Sequence, residues 1–104
     1  MAKKKYIKQN THLKRIGLND GSVYFIDLRV LTDWDMVKKY GLLTSDELSD
    51  TEKMSLSINV YETLLGKEQM NKLLSNVRKK NNGFAPFDKV YEVLTEIQSK
   101  LEKN

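Results

Sequence analysis

The chain has 104 residues, with no cysteine, a single histidine and a formal net charge of +4. That length suits one domain with a modest core, and 39% hydrophobic against 31% charged residues is a globular balance, not a disordered one. The missing cysteines exclude a disulfide framework, a thiolate metal site and a thiol nucleophile.

The charge is placed unevenly. Residues 1–15 carry +6 and the remainder −2, so the basic character belongs to one end and the body is near neutral. Residues 1–11 have no apolar periodicity and are expected to form a basic mobile arm ahead of a single α+β domain spanning 12–104. Within the arm, Lys3, Lys4, Lys5 and Lys8 are candidate anion contacts and Tyr6 a stacking group; the plainer reading is a solubilising terminus. No apolar run approaches the ~18–20 residues of a membrane span, and the lysine-rich start lacks the apolar core of a secretory signal. The expectation is a cytoplasmic protein.

From Leu13 to Val30 the pattern is that of a β-hairpin. Asn19-Asp20-Gly21 is a turn signal, because these residue types tolerate positive φ. Beyond it, Ser22 to Val30 reads as a strand with Tyr24, Ile26, Leu28 and Val30 on one face. A lone two-stranded hairpin is marginal in water, so its apolar face must rest on helices or on another subunit, and its edges are candidates for pairing between subunits.

Helices follow. Thr32 is placed to cap a short one, with Asp35 at the capping-box position, Trp34, Val37 and Tyr40 on its inner face and Gly41 as its stop. Trp34 is assigned to the core rather than to an interface. Thr44 with Glu47, then Ser49 with Glu52, are two successive helix starts, which accounts for the acidic cluster of Asp46, Glu47, Asp50 and Glu52 without a cation. Residues 54–60 fit either a strand or a helix by alternation, and the capping box before them favours a helix. Gly66 suits a helix end. Met70, Leu73, Leu74 and Val77 then mark one face of a further helix, with Arg78, Lys79 and Lys80 at its negative end. Asn81-Asn82-Gly83 breaks the pattern. Pro86 opens a last helix whose stripe is Phe87, Val90, Leu94, Ile97 and Leu101. The predicted fold is α+β and mainly helical: an N-terminal β-hairpin followed by four to five short helices.

Leu64-Leu65-Gly66-Lys67-Glu68-Gln69, the apolar face after it and the closing helix from Pro86 through Glu96-Ile97 resemble the tail assembly chaperones of long, non-contractile-tailed bacteriophages. The resemblance covers roughly the C-terminal half and rests on helix lengths and corners; the basic arm and the hairpin lie outside it. It implies a small helical protein of the host cytoplasm, not expected in the mature virion. Such a protein binds the tape measure protein, assists polymerisation of the tail tube protein and self-associates as a homo-oligomer. Leu64, Leu65, Phe84, Phe87, Leu94 and Leu101 are the candidate contacts with a partner or a second copy.

No constellation for catalysis is legible. His12 stands alone, Tyr61 occupies the place where a phosphate-binding P-loop ending at Gly66-Lys67 needs its first glycine, and neither a nucleophile elbow nor a dinucleotide fingerprint occurs. The expectation is a non-enzyme without cofactor or metal. The alternative is a small nucleic-acid-binding regulator that uses the basic arm and a recognition helix exposing Gln69, Asn71, Lys72, Asn76, Arg78, Lys79 and Lys80. The near-neutral body makes nucleic acid the less expected partner.

Overall fold

The computed structural model describes residues 12–102. Strands β1 (Leu13–Gly17) and β2 (Val23–Asp27) pair antiparallel, with Arg15 opposite Phe25 and Ile16 opposite Tyr24. Leu18 N–H donates to the Ser22 carbonyl at 2.8 Å, closing a three-residue loop in which Gly21 takes φ 91°. A side chain there would be strained, which is why the Asp-Gly pair signals this turn. The Asp20 carboxylate accepts from Ser22 N–H at 2.9 Å and holds the loop from outside.

The strand expected to continue to Val30 stops at Asp27. Its carboxylate accepts from the Arg29 backbone N–H at 3.0 Å and pairs with the Arg29 guanidinium at 2.8 Å. That local acceptor competes with ladder pairing and starts a 3-10 turn, Leu28–Thr32. Helix α1 (Trp34–Thr44) is capped by Asp33, not Thr32, and runs through Gly41. Thr44 does not start a helix but ends one, its hydroxyl donating to the Gly41 carbonyl at 3.1 Å. Trp34 is 74% exposed, contrary to its core assignment, and Met36 turns inward instead at 1%.

Helix α2 (Asp50–Lys80) opens with the Ser49–Glu52 capping box and includes residues 54–60. It is bent at Gly66, whose φ of 81° and ψ of 162° are not helical. The Gly66 corner read from the sequence is therefore a kink dividing α2 into a first arm, residues 50–65, and a second arm, residues 67–80. After the Asn82–Gly83 turn, with φ of 57° and 88°, helix α3 (Phe87–Glu102) returns along the body. Among the described residues there are thus three α-helices, one of them kinked, where four to five were expected.

The hairpin's inner face, Ile16, Leu18, Tyr24 and Ile26, packs with Tyr61, Leu65, Met70, Leu73 and Val77 of α2 and with Leu94 and Ile97 of α3. Burying each such side chain contributes about 1.5–3 kcal/mol, which is what a lone hairpin lacks. Polar ties close the sandwich. Lys100 donates to the Gly17 carbonyl at 2.8 Å, and Asn19 N–H donates to Glu96 at 2.9 Å. Met36 and Val60 are buried as well, but apart from this cluster. α1 accordingly rests on the first arm of α2, off the main core.

A candidate docking groove between the helices

Because α1 sits to one side, a groove of about 550 Å³ opens between it, the first arm of α2 and the end of α3. Leu31 from the 3-10 turn, Tyr40 and Leu43 from α1, Val60, Tyr61 and Leu64 from α2, and Leu101 from α3 line it. The pattern responsible is Met36, Tyr40, Leu43: stepping by four and three, it turns one face of α1 to α2 and leaves Trp34 and Val37 outside. Leu43 and Ser57 also border a second hollow of about 380 Å³, lined further by Met54, Phe87 and Tyr91. The two form one apolar trough along the first arm of α2.

The trough has an aromatic floor. Tyr61 and Tyr91 meet edge to face at 6.1 Å, and Phe87 stacks on Tyr91 at 5.5 Å. The Tyr61 hydroxyl donates to the Gln98 side-chain oxygen, and the Gln98 amide nitrogen donates to Glu102 at 3.1 Å. Burial, then the neighbouring Tyr91, Glu102 and Tyr40, push the Tyr61 hydroxyl up to about 12. Burial likewise raises Tyr40. Both phenols stay neutral at any ordinary pH, so the floor offers apolar rings and hydrogen-bonding tips rather than charge. Met54, Phe87 and Tyr91 remain 51%, 48% and 37% exposed, surface that a partner would cover.

Of the six residues expected to make contacts, Leu64 and Leu101 line the groove and Phe87 lines the adjoining hollow. Leu65 and Leu94 are corrected to core positions: 5% and 2% exposed, they hold the hairpin and cannot meet a partner. Phe84 is 73% exposed in the connection before α3 but borders neither hollow. Leu31, Leu43 and Tyr91 are groove residues the sequence did not single out. The Met36–Tyr40–Leu43 spacing was the available signal for the α1 wall. Lys3, Lys4, Lys5 and Lys8 lie outside the described residues.

The polar side of the second arm of α2 faces the hairpin. Gln69 donates to the Phe25 carbonyl at 2.7 Å and accepts from the Phe25 N–H at 2.6 Å, taking the place of a neighbouring strand. Lys72 donates to the Val23 carbonyl at 2.8 Å and lies 4.9 Å from the Tyr24 ring centre, while Lys80 pairs with Asp20 at 2.6 Å. The outer edge of β2 is thereby occupied from within the chain. Four of the seven side chains named for a recognition helix, Gln69, Lys72, Asn76 and Lys80, bond within the fold, while Asn71, Arg78 and Lys79 face solvent.

Among the described residues, no three His, Asp or Glu side chains converge as a metal site, and no helix is long and apolar enough to cross a membrane. Comparison with protein-family profiles, with curated proteins and with solved structures finds no match for this chain.

Proposed function

We propose that the protein is a tail assembly chaperone of the kind its C-terminal half resembles, holding a helical segment of the tape measure protein in the trough between α1, α2 and α3. The observation that supports this reading is the trough itself: two adjoining, mainly apolar hollows that share Leu43 and Ser57, walled by helices and left open by the described residues. A long, apolar helical partner is soluble only while such surfaces cover its stripes, and a helix in a groove is a standard way to do so. The protein would act in the host cytoplasm, keep the tape measure protein soluble while tail tube protein polymerises around it, self-associate as a homo-oligomer, and leave before the virion is complete. Nucleic-acid binding through the N-terminal basic arm is the weaker alternative: on the second arm of α2, which would serve as its recognition helix, Lys72 and Lys80 are engaged with the hairpin.

The test is co-expression with the long helical protein encoded immediately downstream, followed by size exclusion with mass determination. The expected result is a partner that is insoluble alone and co-elutes with several copies of this chain. Leu43→Asp, in the groove wall, should abolish co-elution while leaving the circular dichroism of the free protein unchanged. A compact monomer that forms no complex overturns the proposal.

A further inference from the structure

We infer that the trough takes a cationic amphipathic helix: a segment of about four turns with an apolar stripe flanked by lysine or arginine. This rests on the docking reading above and specifies the chemistry of the occupant.

Shape sets the length and the secondary structure. The lining residues on α2 run from Asp50 to Leu64, about 21 Å at 1.5 Å per residue, or roughly four helical turns. α1 and α3 form the walls, and their ridges leave grooves suited to a third helix. A segment that binds by strand addition needs an unpaired backbone edge beside it, and the helical walls have spent theirs on internal hydrogen bonds.

Charge sets the flanks. From Asp33 to Glu62, the stretch that builds α1 and the first arm, seven carboxylates stand against three lysines, a net of −4. From Lys67 to Lys80, beyond the kink, five cations stand against one carboxylate, a net of +4. The stretch that builds the trough is thus net negative, and the sign reverses along the chain across Gly66. Asp50 and Glu102 border the trough directly, with Lys53 the one lysine among the described lining residues. Gln98 steadies the Glu102 carboxylate at the rim. A lysine or arginine beside the partner's apolar stripe would find an acceptor there, whereas an acidic flank would be repelled. The second arm of α2 in another copy offers no such helix, because its apolar stripe of Met70, Leu73 and Val77 is buried in that copy's own core.

Fluorescence anisotropy with two labelled peptides of about four turns, ~14 residues, separates the possibilities. Both carry the same leucine stripe; one has lysine and the other glutamate at the flanking positions. At low salt the lysine peptide should bind about tenfold more tightly, and added NaCl should narrow the gap. Glu102→Lys, at a helix end that tolerates a cation, should narrow it too. Met54→Asp and, separately, Leu43→Asp should weaken both peptides, with circular dichroism confirming the fold. Equal binding of the two peptides, or tighter binding of the glutamate form, overturns the inference and leaves the groove reading standing. No binding of either, or binding untouched by both aspartate variants, overturns the groove reading as well.

Discussion

The Gln69 amide joins three pieces of the chain at once. Its nitrogen donates to the Phe25 and Leu65 carbonyls, each at 2.7 Å, and its oxygen accepts from Phe25 N–H at 2.6 Å. It therefore closes the edge of β2 and takes up a carbonyl at the end of the first arm of α2. Gln69→Ala should lower stability by about 1–3 kcal/mol in urea unfolding, the range for leaving such groups without partners. Because the mutation also uncovers a strand edge, light scattering should rise with protein concentration. Tyr61 supplies a second prediction. Its hydroxyl holds its proton up to about 12 in the fold, above the ordinary value of 10. A folded-state value above the unfolded one means stability that is whole below pH 10 and lost as pH climbs toward 12. The urea midpoint should fall across that window, and Tyr61→Phe should flatten the fall. At neutral pH the same variant should cost about 0.5–1.5 kcal/mol for the hydrogen bond to Gln98.

Among the elements, α2 depends most on one backbone conformation. Gly66 has φ 81° and ψ 162°, a region open essentially to glycine alone, while a Cβ built there would touch nothing within 4 Å. Strain, not crowding, makes the position selective. Gly66→Ala should therefore cost about 1–3 kcal/mol by urea unfolding, and in crystals the variant should show an altered kink angle. The same element shows what a sequence discloses. The Ser49–Glu52 box, the Gly66 break, the Asp20-Gly21 turn and the stop at Asn81-Asn82-Gly83 were legible because each is settled by neighbours in the chain. The inward face of α1 was not. Trp34–Val37–Tyr40 and Met36–Tyr40–Leu43 are both valid stripes sharing Tyr40, and only the position of α2 selects the second. Leu65 and Leu94 were misplaced on the surface for the same reason, since their burial depends on a hairpin more than 35 residues away in sequence. The groove was half legible: Leu64, Phe87 and Leu101 lay on recognisable stripes, but Leu31, Leu43 and Tyr91 become neighbours only through the fold.

Across the whole molecule, stability is divided unequally. The hairpin, the second arm of α2 and α3 share one core, whereas α1 holds to its neighbours by one fully buried side chain, Met36. Hydrogen exchange should therefore be fastest in α1 among the helices and slowest in residues 67–80, with α1 exchanging through local opening at denaturant concentrations that leave the core intact. A groove with one loosely held wall admits a helix without disturbing the core that positions the other two.

The ties between β1 and α3 have a consequence for how the chain is made. Lys14 reaches the Leu101 carbonyl, Lys100 reaches Gly17 and Glu96 reaches Asn19, across separations of 87, 83 and 77 residues. Ile16, Tyr24 and Ile26 leave the ribosome well before α3, the helix that completes their cover and that starts about 60 residues further along the chain. Contacts so distant close slowly, because the intervening chain must surrender its freedom before they form. The nascent protein therefore carries an incompletely covered apolar hairpin until α3 has been made. A molecule proposed to shield another chain's apolar surface spends its own first moments exposing one.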